Sequence, residues 1–186
     1  MTDLDIVVMK TLAEFPKFKI LYKRDSLLMK AISKFLWLIS FGLMNKFMDS
    51  YITTIGFKVY VPNDWSTWSR SQRAVILRHE RVHMRQRAKY GMVLFSILYL
   101  FLPLPGLFSY FRMKFEMEAY TETIYAMCEL YVTGVGIVQT PSFKKFIVSQ
   151  FIGASYFWMW PFKKSIEAWY DETVRKAVTC TCVPRY

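Results

Sequence analysis

His79-Glu80-Arg81-Val82-His83 holds both histidines of a 186-residue chain, and its spacing decides how the middle of the sequence folds. On an α-helix, residues i and i+4 share a face, so His79 and His83 offer both imidazoles in one direction. Glu80 stands one step round, within reach of a water held by a metal between them. The stretch therefore reads as a helical zinc site that carries its own general base.

Outward from this stretch, Ser69 opens the helix, with Gln72 three residues on in capping-box spacing. The helix is expected to stop near Tyr90, where Gly91 suits the C-terminal cap. Upstream, Ile52–Ile55 and Phe57–Val61 flank Gly56 as β-rich runs, closed by Pro62. Phe57, Val59 and Val61 alternate with Lys58 and Tyr60, which predicts one buried and one exposed face. From Asp25 to about Met48, Leu27, Leu28, Ala31, Ile32, Phe35 and Leu36 recur at helical spacing. Residues 1–24, broken by Pro16, read as a loose arm or short helices.

Downstream, Gly91 to Phe111 carries no charge, and Pro103-Leu104-Pro105-Gly106 forms a turn inside it. A second long helix is expected from about Leu107 to Thr133, ending at Gly134 and Gly136. Two more run from Pro141 to about Phe151 and from Pro161 to about Val178. The chain reads as one structural domain. Residues 1–50 form an N-terminal helical extension, 51–133 the core, and 134–186 a C-terminal helical extension packed on it.

Two imidazoles and a water leave a catalytic zinc one protein ligand short. No third histidine exists, so the ligand must be a carboxylate or a thiolate. The candidates lie in Phe115-Glu116-Met117-Glu118-Ala119-Tyr120. Two steps on a helix turn about 200°, so Glu116 and Glu118 face nearly opposite ways. Glu118 aligns with Lys114 and Glu122 on what reads as a solvated face. Glu116 aligns with Arg112, Ala119, Tyr120 and Thr123, and small Ala119 and Thr123 allow a close approach to the first helix. Glu116 is the expected ligand and Glu118 the alternative. The competing non-metal reading is an ion pair of Glu116 with Arg112.

His79-Glu80-x-x-His83 followed by Glu116-Met117-Glu118-Ala119-Tyr120 resembles the gluzincin clan of zinc metallopeptidases. The second motif of that clan reads Glu-x-x-(Ala/Ser)-Asp, with the first Glu on zinc. The pattern is similar to minimal gluzincins and to small HExxH proteins encoded by phages, and it covers about Ile52 to Thr133. It departs at Tyr120, where the clan has an Asp that supports a zinc-bound histidine. The resemblance implies an α+β, mostly helical, zincin-like fold with a short antiparallel sheet, an HExxH helix and a glutamate helix. It implies Zn2+ on His79, His83 and Glu116, and Glu80 as general base and acid in peptide-bond hydrolysis. Tyr120, Tyr125 and Arg112 are the candidate oxyanion donors. A peptide or protein substrate would add as a strand to a sheet edge, for which Phe57–Val61 is the natural choice.

The remaining composition concerns surroundings and partners. A net charge of +11 and a pI near 9.6 favour an anionic partner, such as a membrane surface. Nucleic acid is supported by charge alone and is not the expected partner. Arg78, Arg81, Arg85 and Lys89 form a basic stripe, solvated or attracting an anionic surface. The 21 uncharged residues from Gly91 to Phe111 are enough to span a bilayer. A single crossing would set His83 and Glu116 roughly 30 Å apart, so the run must fold back as a hairpin. With the uncharged Ile147–Phe162 stretch, which holds Trp158 and Trp160, it suggests a peripheral membrane contact. The three cysteines, Cys128, Cys180 and Cys182, read as reduced thiols in an intracellular setting. Asp3 and Asp5 stand where a signal peptide needs basic residues, so none is expected.

Overall fold

The strands all precede Pro62 among the residues that the structure, a computed structural model, describes: 2–39, 42, 46–101, 109–153 and 159–181. Two compact units form, Met1–Arg73 and Ala74–Tyr186. The content is mostly helical with one small sheet, an α+β arrangement.

In the first unit, helix α1 (Asp3–Glu14) opens on a complete capping box. Thr2 Oγ1 accepts from the Asp5 N–H, and the Asp5 carboxylate accepts from the Thr2 N–H at 2.8 Å. Strand β1 (Lys19–Tyr22) follows, then helices α2 (Leu27–Ile39) and α3 (Phe47–Ser50), and strands β2 (Thr53–Ile55) and β3 (Lys58–Val61). Gly56 turns β2 into β3 with φ +71°, a backbone that L side chains rarely adopt. Lys23 is fully buried, its Nζ donating to the Phe47 carbonyl at 2.6 Å and lying over the Phe47 ring.

Several expectations change here. The arm before residue 24 contributes a true strand, since Lys19–Tyr22 pairs in parallel with Lys58–Val61. The sheet is therefore mixed, because β2 pairs with β3 antiparallel. The strand order is β1-β3-β2, so Phe57–Val61 lies at the centre and offers no edge for an added peptide. A parallel pair needs a long crossover, which α2 and α3 supply, and no local pattern in Lys19–Tyr22 announces it. Central placement also buries Tyr60 alongside Val59 and Val61, against the expected alternation. The pairing of β1 with β3 joins the expected extension to the expected core, so the break at 50/51 does not appear in the fold.

The second unit is helical. Helix α4 (Arg70–Tyr90), whose first turn reaches back across the unit boundary, starts where Ser69 Oγ accepts from the Gln72 N–H at 3.1 Å. It stops at Gly91, with φ +76°. Helix α5 (Met92–Ser96) runs on into a π-helical turn (Ile97–Phe101). Helix α6 (Tyr110–Leu130) is followed by α7 (Gly134–Val138), α8 (Pro141–Ile152) and α9 (Lys163–Thr181). The expected Pro103–Gly106 turn, Trp158 and Cys182 lie outside the described residues. Ile124 of α6, Ile147 and Phe151 of α8, and Ile166 and Tyr170 of α9 share one core. The C-terminal helices thus pack on the glutamate helix. Cys128 is buried and Cys180 exposed. Among the described residues, no helix is long and apolar enough to cross a membrane.

Gly134 and Gly136 do not merely end α6; they open α7. A Cβ on Gly134 would lie 1.8 Å from the Met127 carbonyl oxygen, whereas one on Gly136 meets nothing within 4 Å. Gly134→Ala is expected to cost about 1–3 kcal/mol, as overpacking against backbone does. Gly136→Ala is expected to be neutral or to stabilise by roughly 0.5 kcal/mol. Thermal denaturation of the two variants checks the contrast, and equal melting temperatures would contradict it.

Candidate metal centre

Two helices of 21 residues, α4 and α6, carry every side chain of the centre except Tyr99. Arg78 fixes their alignment. Its Nε meets Glu122 at 2.6 Å and its Nη1 meets Glu129 at 2.5 Å, one helix gripped at points about two turns apart. Burial works against the Arg78 charge, and Glu129 and Glu122 outweigh it. Arg78 is therefore a clasp between helices and not a member of a solvated basic stripe.

With the helices so aligned, His79 Nε2 and His83 Nε2 each lie 3.7 Å from a Glu116 carboxylate oxygen. The three candidate ligand atoms all lie within 4.8 Å of one another. Glu116 is 2% exposed. Glu118 is exposed on the other face, so of the two glutamates only Glu116 meets the histidines. Ala119, fully buried, and Thr123 line the α6 face that turns to His79, as their small size predicts.

The other nitrogen of each ring is committed. His79 Nδ1 lies 3.0 Å from Thr123 Oγ1, and the Thr123 hydroxyl donates to the Ala119 carbonyl at 3.3 Å. Its hydrogen spent there, Thr123 can only accept, so His79 Nδ1 donates. His83 Nδ1 lies 2.9 Å from Gln86 Oε1. Gln86 Nε2 donates to the Phe115 carbonyl at 3.0 Å and to Glu118 at 2.8 Å. A flipped amide would aim its oxygen at those two acceptors, so the network sets its orientation and makes His83 Nδ1 a donor too. Both Nε2 lone pairs then face the Glu116 carboxylate.

The charges agree with this assignment. Burial, then the neighbouring His83, hold the His79 imidazole below its ordinary range, more than Glu80 and Glu116 raise it. For Glu116, burial opposes ionisation, but His83, His79, the Tyr99 hydroxyl and Arg112 outweigh it and keep the carboxyl below the usual range. Burial thus favours the neutral form of His79, while the groups around Glu116 favour its ionised form.

Tyr99 and Gln86 are partners that sequence reading did not assign. Tyr99 sits on the π-helical turn, where its hydroxyl donates to Glu116 and its ring meets His83 edge-on, centroids 5.8 Å apart. The Arg112 guanidinium lies over the Tyr99 ring, 5.1 Å from its centroid. Gln86 was discoverable, since a residue three after His83 shares its helix face. Tyr99 had no such signal. Tyr120 meets His79 through its ring, centroids 4.8 Å apart and nearly perpendicular, and packs on Phe151 behind. Glu80 is buried beside His79. A larger cavity of about 400 Å³ lies away from the centre, lined by Val138, Lys144, Tyr170 and Asp171 among others.

Comparison of the chain with protein-family models, curated proteins and solved structures returns no match. The chemistry of the centre is therefore read from its own atoms.

Gln86, itself buried, holds His83, the Phe115 carbonyl and Glu118 at once, whereas Glu118 is exposed. Gln86→Leu is expected to destabilise the fold by about 1–3 kcal/mol, the cost of stranding polar groups. Glu118→Gln is expected to stay within about 0.5 kcal/mol. Chemical denaturation with matched slopes distinguishes them, and a silent Gln86→Leu would refute the network.

Proposed function

We propose that the chain is a zinc-dependent endopeptidase of the gluzincin kind, with His79, His83 and Glu116 holding the metal and Glu80 moving the proton. The observation that carries this reading is the convergence of two Nε2 lone pairs on an ionised carboxylate, with both Nδ1 atoms committed elsewhere. Two imidazoles and one carboxylate suit zinc, whose catalytic sites keep three protein ligands and an open position. Bonds of about 2.0–2.2 Å give a tetrahedral edge of roughly 3.3 Å. The two His–Glu approaches of 3.7 Å fall within a few tenths of that edge.

Zinc held there supplies Lewis acidity toward water and toward a peptide carbonyl. Glu80 accepts the proton that water gives up on attack, then delivers it to the leaving amine. Thr123 and Gln86 keep the Nδ1 atoms protonated and the rings oriented, the work that a second-motif Asp does for one histidine in the resembling clan. Tyr120, against His79, is the candidate donor to the developing oxyanion.

A second reading, a zinc-holding basic protein without turnover, draws on Tyr99 and on the cavity. The Tyr99 hydroxyl covers Glu116, the ligand side chains are nearly closed off, and the larger cavity lies elsewhere. Closed sites are the mark of structural metals.

Purified wild type is expected to carry one zinc by elemental analysis, and Glu116→Gln or His83→Ala to lose it. Thr123→Val should weaken zinc about 10–100-fold in chelator competition. Glu80→Gln should keep zinc and lose on the order of 10²–10⁴ in the rate of cleaving a mixed peptide library. Wild type as inactive as Glu80→Gln, with full zinc in both, would leave only the second reading. Protein free of zinc would overturn both.

A further inference from the structure

Helix α2 has two apolar faces, and only one is covered. Met29, Ile32 and Leu36 turn inward to Phe47 and Tyr60, the core of the first unit. Leu27, Ala31, Phe35 and Leu38 follow one another at spacings of four, four and three. At about 100° per residue they fall on a single stripe roughly 80° wide. That stripe is open, with Leu27 81%, Phe35 61% and Leu38 65% exposed. Exposed Lys30 and Lys34 run along one flank, with exposed Trp37 beyond them. No acidic residue occurs between Asp25 and Asp49.

A helix on the surface of a globular protein turns charge to water, and this one turns leucine and phenylalanine. We propose that the outer face of α2 docks on an anionic phospholipid surface. The helix lies in the plane of the interface, the stripe enters the acyl boundary, and Lys30 and Lys34 reach headgroup phosphates. Thirteen residues at about 1.5 Å each span roughly 20 Å, short of the ~30 Å hydrocarbon layer, so the helix lies on the membrane.

Charge decides between lipid and a second copy of the chain. A symmetric pairing of two α2 stripes would crowd both sets of Lys30 and Lys34 along one drying seam, in a chain of net charge +11. Anionic headgroups supply the opposite sign, each nearby lysine adding about 1 kcal/mol of attraction.

The full chain is sedimented with vesicles of phosphatidylcholine alone and of phosphatidylcholine with roughly 30% phosphatidylglycerol, a charge density in the range of cytoplasmic leaflets. Partition is expected to be at least about tenfold stronger onto the anionic vesicles. Leu27→Asp with Leu38→Asp, at exposed positions and with unchanged circular dichroism, should lower it about tenfold or more. Lys30→Glu with Lys34→Glu should remove the preference for anionic lipid. Glu116→Gln should bind vesicles like wild type, so this inference stands or falls apart from the metal reading. Wild type that ignores both vesicle types, or a leucine double variant that binds undiminished, would overturn it. A lipid-free dimer in sedimentation velocity that the same double variant dissolves would overturn it too, in favour of a second copy.

Discussion

A carboxylate buried to 2% exposure at Glu116, with two imidazole lone pairs turned toward it, is the constraint on which the second unit depends. Burying an ionised carboxylate costs several kcal/mol unless donors or cations meet it. The Tyr99 hydroxyl donates to it, and the Arg112 guanidinium lies over the tyrosine ring. The histidines do not add donors, because Thr123 and Gln86 have claimed their N–H groups. Turned this way, the three side chains suit a shared cation. A proton would satisfy one pair, whereas a divalent metal satisfies all three at once.

The helices serve that convergence at several points along their length. Arg78 ties α4 to Glu122 and Glu129, six and thirteen residues past Glu116, and so sets which α6 residues face the histidines. Buried Ala119 and the short Thr123 leave room for the His79 ring. Tyr120 fills the remaining side of that ring and hands the contact on to Phe151 of α8, so the C-terminal helices brace the centre from behind. The π-helical turn after α5 brings Tyr99 to the opposite side. Such turns re-aim one side chain without breaking a helix, and they recur at functional sites.

The parts legible in the sequence are those that local geometry governs. The i, i+4 histidines, the facing of Glu116 and not Glu118 toward them, and the ends of α4 at Ser69 and Gly91 all follow from helical period and capping. The parts that were not legible depend on distant segments meeting. Lys19–Tyr22 looks like an interrupted arm until its partner is supplied by residues 58–61, and the same partner turns Phe57–Val61 from an edge into a centre. Tyr99 stands in an apolar run with nothing to mark it, since its role comes from where the π-helical turn delivers it. Gln86 lies between these cases. Helical spacing offers it to His83, but only the Phe115 carbonyl and Glu118 on α6 show which way its amide points.

The centre also restricts the most membrane-like stretch of the sequence. The uncharged run leaves α4 after Tyr90 and rejoins α6 at Tyr110. His83 and Glu116, seven residues before the first point and six after the second, approach to 3.7 Å. Helical rise is about 1.5 Å per residue, so both ends of the run lie within roughly 10 Å of one place along their helices. A chain that leaves and returns to the same level cannot cross a ~30 Å layer once. The exposed Met92, Val93 and Leu94 at the start of the run are then surface and not span. Whatever apolar medium they meet, they meet from the side on which the histidines and Glu116 are held.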